Sequence, residues 1–483
     1  MMQKQMNPPL RALAPHEWTS ELREWEQQLS AAPYRSYLYS YPHKTAYREL
    51  NPPYPLQQLW EQEQLDSYFL YMHIPFCGAR CGFCNLFTLP DKRLDVHKQY
   101  VDALERQAMQ WAPIMAGSPF SRFAIGGGTP TLLEPEQLNR LFVIAQDIMG
   151  LDVQTSSISV ETSPETVTEE RMEILKHWGV DRVSMGIQSF IEQESKAIYR
   201  PQNPDLARQA LVMLKQYDFP LLNVDLIYGL PSQTVDSWLY SLEQALEFEP
   251  GEIFLYPLYV RENTILKPGH TGLEHDIRME LYEAARERLE QAGYIQYSMR
   301  RFARPFHSTK TLLPYSCQEE GMVGMGCGAR SYTRNVHYAS HYGVTTAATR
   351  SIIADYVAAE RYDTADYGFV LNEQERRRRF VLKALLHREG LQQLDYYERF
   401  GSWLLDDLPD LKQLIWTGLA EWIPTVVPTN VSVLATQTEP VQPISEQHTT
   451  LRLTPRGMAL SDSIGDWLIS PDVYALMEGY EGV

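Results

Sequence analysis

The sequence YMHIPFCGARCGFCNLF, residues 71–87, places three cysteines within eight residues: Cys77, Cys81 and Cys84. Their spacing is Cys-x3-Cys-x2-Cys, and no fourth ligand follows close behind. A closed structural zinc site uses four protein ligands. Three thiolates instead suit a metal centre with one open position, and soft thiolate is the natural ligand of iron–sulfur clusters. The motif therefore indicates an iron–sulfur centre that keeps one position open.

The residues around the motif indicate an α/β fold. Tyr71 to Ile74 is a short apolar run typical of a strand, and Pro75 ends it. The cysteines therefore leave the C-terminal end of a strand and enter a loop that contains Gly78 and Gly82. Loops at that end of the strands carry the chemistry in α/β folds.

Other interpretations of the cysteines remain open. The motif could be a zinc knuckle, or the three thiols could be unrelated and buried. A disulfide framework is disfavoured, because five cysteines in 483 residues is a sparse and odd number.

The motif YMHIPFCGARCGFCNLF resembles the cluster loop of radical S-adenosylmethionine (SAM) enzymes, and among them that of the oxygen-independent coproporphyrinogen III oxidase family. That family includes relatives that act as heme chaperones and as radical C-methyltransferases. The resemblance implies a [4Fe–4S] cluster on Cys77, Cys81 and Cys84, whose fourth iron is chelated by SAM. It further implies reductive cleavage of SAM to methionine and a 5′-deoxyadenosyl radical.

Composition and charge narrow the class of protein. The formal net charge is −18, which argues against a surface that follows nucleic-acid phosphates. No apolar run approaches the roughly 18 residues that span a bilayer, and the first residues lack the apolar core of a signal peptide. We therefore expect a cytoplasmic protein without nucleic-acid or membrane partners.

Residues 67–300 alternate strand-like and helix-like patterns. The strands predicted are Phe69–Ile74, Phe123–Ile125, Ile158–Glu161, Arg182–Ile187, Leu222–Ile227 and Ile253–Tyr256. The helices predicted between them include Val96–Trp111, Pro135–Ile148, Pro164–Trp178, Pro204–Tyr217 and Thr234–Phe248. Such alternation implies right-handed βαβ units and a parallel sheet. Six strands fit an α/β fold built as a partial, open TIM-like (β/α)6 barrel, which is also the radical SAM fold that the resemblance implies.

The rest of the chain divides into three further regions. Residues 1–66 are expected to form an N-terminal extension, with a helix near 16–30 and then an irregular loop. Residues 301–369 are expected to close or link the barrel, and 370–483 resemble the family's small C-terminal helical, winged-helix-like domain. Within that domain, Pro424 to His448 is predicted to be a long insertion.

A glycine run follows the second predicted strand, in AIGGGTPT. Glycines let a backbone approach a ligand closely, and free amides there can bind a carboxylate. The run resembles the family's SAM-contacting glycine motif, so Gly127, Gly128 and Thr129 are candidate SAM contacts. The alternative is a tight turn between a strand and a helix.

Polar residues lie at or beyond the ends of the next three strands. Glu161, Gln188 and Asp225 end the third, fourth and fifth strands, and Arg200 follows in YRPQ. A carboxylate at the carboxyl end of a barrel strand is rarely there for packing, and a guanidinium fork suits a carboxylate ligand. By resemblance all four contact SAM, and Asp225 would hold its ribose. Solvated polar strand ends are the alternative for each residue taken singly.

Two aromatic residues of the motif are further candidate SAM contacts. By resemblance the hydroxyl of Tyr71 reaches a SAM carboxylate, and Phe83 covers the cluster and contacts the adenine. His73 points the same way as Tyr71 along the strand, and we favour a buried, hydrogen-bonded core histidine there.

The resemblance leaves the number of SAM molecules open, because the family's oxidases and methyltransferases bind two. In the oxidases Tyr71, Gly127 and Glu161 would serve the first molecule. The second would be held by Gly128, Thr129, Gln188, Arg200 and Asp225. Pro257 and Arg330 stand where the oxidases make further SAM contacts with other residue types, which leaves the second molecule in doubt.

Two features depart from the oxidases and the chaperones. Oxidases usually carry a fourth cysteine two positions after the third, where this chain has Leu86. The asparagine-and-aromatic stretch of the chaperones is replaced by HSTKTLLPYS at residues 307–316. Cys327, in a glycine-rich loop, could donate a hydrogen atom, although a small apolar filler is the favoured interpretation.

The sequence therefore predicts a radical SAM oxidoreductase similar to coproporphyrinogen oxidase, which acts on a tetrapyrrole or a related aromatic substrate. The cofactors expected are a [4Fe–4S] cluster and one or two SAM molecules, and the electron donor expected is a flavodoxin- or ferredoxin-type protein. A radical C-methyltransferase and a heme-binding chaperone of the same fold are the rival functions.

Overall fold

The computed structural model describes residues 11–63, 67–200, 202–261, 264–266, 276–305, 318–319, 321–343, 345–425 and 449–480. The predictions made for HSTKTLLPYS and for residues 426–448 lie outside the described residues. The chain forms two compact units. One consists of the described parts of Met1–Tyr41, Tyr297–Met299 and Glu373–Pro471, and the other of those of Pro42–Gln296, Arg300–Asn372 and Asp472–Val483.

The strands are β1 (Arg48–Pro55), β2 (Tyr68–Ile74), β3 (Phe76–Cys77), β4 (Leu89–Pro90), β5 (Phe120–Gly127), β6 (Ser157–Thr162), β7 (Arg182–Gln188), β8 (Leu221–Tyr228), β9 (Glu252–Pro257), β10 (Ile295–Gln296), β11 (Arg301–Ala303), β12 (Met322–Met325), β13 (Arg330–Tyr332), β14 (Val336–Ala339), β15 (Thr364–Val370), β16 (Leu391–Gln392), β17 (Ala420–Pro424) and β18 (Thr449–Leu453).

The α-helices are α1 (Ser20–Ala31), α2 (Leu56–Glu61), α3 (Leu94–Trp111), α4 (Pro135–Val143), α5 (Glu169–His177), α6 (Glu192–Ala197), α7 (Pro204–Tyr217), α8 (Val235–Leu246), α9 (Arg278–Gln291), α10 (Thr346–Ala358), α11 (Glu373–Leu385), α12 (Gln393–Phe400), α13 (Leu404–Asp407), α14 (Lys412–Trp416), α15 (Pro455–Ala459), α16 (Ser461–Trp467) and α17 (Pro471–Glu478). Among the described residues, no helix is long and apolar enough to cross a membrane.

A mainly parallel sheet forms the centre of the larger unit. Strands β2, β5, β6, β7, β8 and β9 lie side by side in that order, and each neighbouring pair is parallel. Each of the six predicted strands falls within one of these. Most of their apolar residues are buried, as expected for a parallel sheet covered by helices. The predicted α/β fold is confirmed.

The sheet is wider than the sequence indicated. Strand β12 pairs in parallel with β2, and β13, β14, β15 and β1 extend that side as antiparallel strands. On the other side β9 pairs with β11, which pairs with β10. These added strands are short or irregular, so their periodicity in the sequence is weak. Strand β1 also begins inside a segment predicted to be an irregular loop.

The helices follow their predicted spans with two local differences. Helix α7 has the predicted bounds, because Asn203 caps its first turn, Pro204 occupies the first position and Asp218 ends it in a left-handed conformation. The predicted helix Pro135–Ile148 ends in a π-helical turn, Ile144–Ile148. The predicted helix Pro164–Trp178 is split, because extended backbone at Val167 and Thr168 separates a 3-10 turn from α5.

The smaller unit combines an antiparallel sheet, β16–β18–β17, with helices α1 and α11 to α16. Helix α1 packs on α16 through the rings of Trp25 and Trp467, whose centroids are 5.1 Å apart. Glu26 of α1 forms an ion pair with Arg456 of α15. The two predicted helices after residue 370, and the strand that leads into a helix after residue 450, are present. The winged-helix likeness and the domain boundaries at residues 66, 300 and 369 stay predictions.

Candidate active site

The candidate residues collect at the carboxyl edge of the parallel sheet. Strands β2, β5, β6, β7 and β8 run in the same direction, so the loops that follow them meet at one edge. The cysteine loop follows β2 and the glycine run ends β5. Glu161, Gln188 and Asp225 lie at or near the ends of β6, β7 and β8.

Backbone hydrogen bonds fix the cysteine loop. Cys77 ends the short strand β3, which pairs in parallel with β4. A turn closes where the amide of Cys84 donates to the carbonyl of Cys81, at 3.1 Å. Between them the amide of Gly82 donates to the carbonyl of Ile198 at 2.7 Å, and its carbonyl accepts from Leu266 at 2.9 Å. The three cysteines are therefore held on an ordered loop.

Each thiol of the loop lies beside a polar side chain. The Thr129 hydroxyl is 4.0 Å from Cys77 Sγ, the Arg200 guanidinium donates to Cys81 Sγ at 3.5 Å, and Cys84 Sγ lies 3.7 Å from the Thr88 hydroxyl. Burial, together with the nearby Cys84 thiol, raises the pKa of Cys77 to about 12. Burial also raises the pKa of Cys81, against the opposing charge of Arg200. Without a metal the thiols of Cys77 and Cys81 stay protonated, and coordination to iron would release their protons.

The glycine run lies against the segment that precedes the cysteines. The amide of Gly128 donates to the carbonyl of Ile74, and that of Thr129 donates to the carbonyl of Phe76, both at 2.7 Å. Gly127 has φ +115°, and a Cβ there would lie 2.5 Å from the His73 ring. At Gly128 a Cβ would lie 2.5 Å from the Phe76 carbonyl oxygen. Glycine is therefore required for this close approach, beyond its use in a turn.

Glu161 is bound to this run. Its Oε2 accepts a hydrogen bond from the amide of Gly127 at 3.0 Å. Glu161 as a whole residue is exposed, and desolvation of its carboxyl group raises its pKa. The hydrogen bond from Gly127 opposes that shift and the charge of Asp225 adds to it. The two carboxylates therefore act on each other at the same edge of the sheet.

Gln188 and Arg200 are brought together by a bulge at the end of β7. Gln188 adopts a left-handed backbone, with φ 71°, where the register with β8 shifts. A Cβ at Gly186 would lie 2.9 Å from Gln188 Nε2 and 3.9 Å from Arg200 Nη2. Arg200 donates to the Gly186 carbonyl at 2.6 Å and to Gln202 Oε1 at 2.8 Å. A strained non-glycine residue of this kind is typical of functional sites.

Asp225 belongs to a buried polar network. Its Oδ1 accepts from Asn223 Nδ2 at 2.8 Å, and Asn223 Nδ2 also donates to the Ser184 hydroxyl at 2.6 Å. Burial raises the pKa of Asp225 to about 6, against the hydrogen bond from Asn223 and the charge of Arg182. Beneath it Glu252 accepts from Arg182 and from Arg301, each at 2.8 Å. No sequence pattern indicated this Arg–Glu–Arg triad, in which Glu252 is buried and both arginines are partly exposed.

Tyr71 and His73 occupy the end of β2. The Tyr71 hydroxyl lies 3.2 Å from His73 Nδ1, and His73 Nε2 lies 2.9 Å from the Phe87 carbonyl. His73 is 5% exposed, and burial lowers its pKa to about 4. The favoured interpretation of His73 as a buried, hydrogen-bonded histidine is confirmed. The contact of Tyr71 with a SAM carboxylate stays a prediction.

Phe83, within the cysteine loop, packs against apolar residues. It is partly buried against an apolar cluster made of Ile198, Ile227, Leu230, Leu258 and Leu266, with Tyr256 and Val260 beside it. The contact of Phe83 with an adenine stays a prediction.

Cys327 is not among the thiols of the loop. It is 1% exposed, its Sγ lies 3.8 Å from the Tyr100 hydroxyl, and burial raises its pKa to about 12. These surroundings favour the small apolar filler over the hydrogen-atom donor. Cys317 lies outside the described residues.

The sequence interpretation missed a buried lysine beside the cysteine loop. Lys44 is 9% exposed, its Nζ lies 3.3 Å from the Asn85 carbonyl oxygen and 3.3 Å from the centroid of the Tyr342 ring. The Tyr342 hydroxyl donates to the same carbonyl. A basic residue directly after the tyrosine-rich stretch YSYPH was the one signal available.

These residues fit a [4Fe–4S] cluster with SAM. The donor set is three soft thiols on one ordered loop, and the glycine run lies too close to that loop for any side chain. Within the described ranges, no three His, Cys, Asp or Glu side chains are placed to hold a single metal ion. Cluster ligands surround four irons and stand farther apart than the ligands of one ion, so that finding does not bear on a cluster.

Comparisons with known proteins place the chain in a family. The profile of the radical SAM superfamily matches residues 71–245. The heme chaperone HemW of Escherichia coli (strain K12) is 31% identical over 269 residues, which cover 55% of this chain and 70% of that protein. The chain belongs to the radical SAM superfamily. Within it, the chain belongs to the branch that is similar to oxygen-independent coproporphyrinogen III oxidase.

Two further proteins are similar to this chain. The oxygen-independent coproporphyrinogen III oxidase of Escherichia coli (strain K12) is 31% identical over 241 residues, covering 49% of this chain and 52%, about half, of that protein. The heme chaperone HemW of Bacillus subtilis (strain 168) is 28% identical over 362 residues, covering 72% of this chain and 91% of the chaperone. Similarity to both types of relative leaves oxidase and chaperone functions open.

The solved structure of coproporphyrinogen III oxidase (HemN) from Escherichia coli has the same radical SAM fold. It superposes with a TM-score of 0.68 at 22% identity, covering 88% of this chain and 96% of the oxidase. The cofactors of the superfamily are a [4Fe–4S] cluster and SAM. The predictions of family, fold class and cofactors are therefore confirmed.

Proposed function

We propose that this protein is a radical SAM oxidoreductase that acts on a tetrapyrrole or a related substrate. The observation that carries the proposal is that the cysteine loop, the glycine run and the polar residues at the strand ends contact one another. Arg200 contacts Cys81 of the cysteine loop and lies beside Gln188, while Glu161 holds the glycine run that packs against the same loop.

The residues divide by the group that they would hold. Cys77, Cys81 and Cys84 would ligate the cluster. The SAM contacts would come from Tyr71, Phe83, Gly127, Gly128, Thr129, Glu161, Gln188, Arg200 and Asp225. Bound together, the cluster and SAM supply a one-electron cleavage of SAM that permits hydrogen abstraction from an unactivated carbon.

The protein contributes binding and electrostatics to this chemistry. Amides that are not covered by side chains at Gly127 and Gly128 can approach the polar end of SAM. The carboxylates of Glu161 and Asp225 could accept from its amino group and ribose hydroxyls, and Arg200, which contacts Cys81, would supply a cation to the bound groups. The apolar cluster around Phe83 excludes water from the adjoining surface.

A heme-binding chaperone is the second candidate function. It is favoured by the Bacillus subtilis chaperone, of which the chain covers 91%. The two functions differ in turnover: an oxidoreductase would cleave SAM repeatedly, whereas a chaperone would mainly bind heme. The radical C-methyltransferase, the electron donor of flavodoxin or ferredoxin type, a second SAM and the cytoplasmic location stay predictions from the sequence.

The test is anaerobic reconstitution of the cluster, followed by incubation with SAM and dithionite and mass spectrometry of the nucleosides. Formation of 5′-deoxyadenosine supports the oxidoreductase. S-adenosylhomocysteine formed alongside it would support the methyltransferase instead. Stoichiometric heme binding without nucleoside products would favour the chaperone, and a chain that takes up no iron would overturn the proposal.

A further inference from the structure

Helix α6 ends in a turn that glycine normally closes. The amide of Tyr199 donates to the Lys196 carbonyl at 3.0 Å, and the amide of Arg200 donates to the Ser195 carbonyl at 2.9 Å. This pair of hydrogen bonds is the Schellman motif, in which the residue after the helix cap adopts a left-handed backbone and is usually glycine. Here that residue is Tyr199, with φ 54°. A tyrosine is strained in this conformation, because its Cβ crowds the following carbonyl oxygen.

Burial in the core does not account for this strained tyrosine. Tyr199 is 54% exposed, so it gains only part of the stabilisation that a buried aromatic side chain brings. A strained backbone persists where neighbouring structure holds it, and residues of this kind concentrate at functional sites. The contact that Tyr199 does make is therefore informative about its role.

That contact is with the cysteine loop, at the glycine between the second and third cysteines. A Cβ at Gly82 would lie 2.6 Å from Tyr199 Cδ2. It would also lie 2.9 Å from Leu266 Cγ and 3.1 Å from the carbonyl oxygen of Ile198. The ring of Tyr199 therefore packs on the backbone of Gly82, with no room for a side chain between them. The same Ile198 carbonyl accepts from the Gly82 amide at 2.7 Å, so the turn after α6 and the loop are joined twice.

We propose that Tyr199 is a positioning residue, which holds Cys81 and Cys84 on a closed loop and so slows the loss of the cluster that they ligate. The left-handed turn is what brings the ring onto Gly82, so the strain and the contact with the loop arise together. The inference rests on the proposed function for the identity of the bound group. The closed loop itself is a property of the chain without iron, and it can be measured there.

The first experiment measures how fast iodoacetamide alkylates each cysteine of the iron-free, full-length chain, by mass spectrometry of its peptides. In Tyr199→Gly the loop loses a contact and should open more often, so Cys81 and Cys84 should react about tenfold faster. Tyr199→Phe keeps the ring and should react like the unmodified chain. Cys327 is 1% exposed and should keep its rate in every variant. An equal acceleration at Cys327 would mean that the whole fold opens, and it would overturn the proposal.

Asp218→Gly is the matched control for the change of backbone. Asp218 also ends a helix in a left-handed conformation, with φ 49°, but it precedes β8 and so lies at the opposite edge of the sheet. Both glycine variants relieve a left-handed strain, and both should unfold within about 2 °C of the unmodified chain. Only Tyr199→Gly should raise the alkylation rates. A lower unfolding temperature of Tyr199→Gly with unchanged alkylation rates would make Tyr199 a packing residue and overturn the proposal.

The second experiment follows the loaded cluster. After anaerobic reconstitution, a ferrous chelator is added without oxygen and the decay of the cluster absorbance is recorded. Tyr199→Gly should lose its cluster about tenfold faster than the unmodified chain, while Tyr199→Phe and Asp218→Gly should lose it at the unmodified rate. Equal decay in all four chains would overturn the role in cluster retention. If the unmodified chain takes up no iron, the proposed function fails, and the alkylation rates still decide whether Tyr199 holds the loop.

Discussion

The guanidinium of Arg200 donates one hydrogen bond to the thiol of Cys81, at 3.5 Å, and another to the carbonyl of Gly186, at 2.6 Å. Cys81 lies on the loop after β2, and Gly186 lies on β7 just before the left-handed Gln188. One side chain therefore links the proposed cluster ligands with the strand end that is proposed to hold SAM.

Arg200→Met should separate these two roles. Hydrogen bonds and positive charge near the sulfurs favour the reduced cluster, so their removal should lower its reduction potential, by about 60 mV for a tenfold change in a one-electron equilibrium. Iron content should remain that of the unmodified protein. A redox titration followed by electron paramagnetic resonance provides the measurement, with Arg200→Lys as the control that keeps the charge. An unchanged potential would show that Arg200 does not act on the cluster.

Cys81→Ala should abolish both iron binding and the formation of 5′-deoxyadenosine, because two thiolates cannot hold the cluster in place of three. The matched control is Cys327→Ala, since Cys327 is buried beside Tyr100 and away from the loop. Iron analysis after anaerobic reconstitution and the absorbance of the cluster measure the effect. If Cys81→Ala kept its full iron content, or Cys327→Ala lost its iron, the ligand assignment would be wrong.

The elements of the larger unit could be predicted because their signals are local. Each predicted strand of β2 and β5 to β9 consists of contiguous apolar residues between helix-like segments, and parallel packing then places their ends together. The antiparallel strands β13 to β15 and β1 were missed, and of these β1 pairs with a strand far along the chain, β15. Three- and four-residue strands such as β13 and β14 carry too little pattern to be recognised.

The site could be predicted as a set of residues but not as contacts. The motifs identified the residues. The hydrogen bond between Arg200 and Cys81, however, joins two residues that are 119 positions apart in the chain, so no local pattern predicts it. The left-handed backbone of Gln188 was not foreseeable, since that residue type does not favour it. Lys44 was missed because burial of a lysine is decided by tertiary packing around Tyr342, which no local pattern encodes.

Gly127→Ala should destabilise the fold strongly. The new Cβ would lie 2.5 Å from His73 Cε1 and would require a φ of +115°, which residues with a Cβ rarely adopt. We expect a loss of about 3 kcal/mol or more in the free energy of unfolding, from backbone strain and overpacking together. Urea unfolding measures it.

Gly150→Ala is the matched control for that substitution. Gly150 also has a positive φ, +76°, but a Cβ there meets nothing within 4 Å. Its cost should be limited to about 1 kcal/mol of backbone strain. Equal losses in the two variants would show that contact with His73 contributes nothing. A second mutation, His73→Ala, should recover part of the loss in Gly127→Ala and none in Gly150→Ala.

Asp225 should make the stability of the protein without SAM depend on pH. Burial raises its pKa in the folded state from an ordinary 3.8 to about 6. Between these values the folded state binds more protons than the unfolded state, so the free energy of unfolding falls as pH rises from about 4 to about 6. The unfolded and folded pKa values of Asp225 differ by about 2 units, and each unit corresponds to about 1.36 kcal/mol. The free energy of unfolding should therefore fall by at most about 3 kcal/mol over this pH range.

Asp225→Asn tests that dependence, because the amide oxygen can still accept from Asn223 and the buried charge is gone. At pH 8 the variant should unfold at higher urea concentration than the unmodified chain, and the difference should vanish near pH 4. Its affinity for SAM should nevertheless fall, since a neutral amide accepts from ribose hydroxyls less strongly than a carboxylate. A parallel loss of stability at pH 8 would mean that Asp225 serves the fold through its charge, contrary to a role in binding.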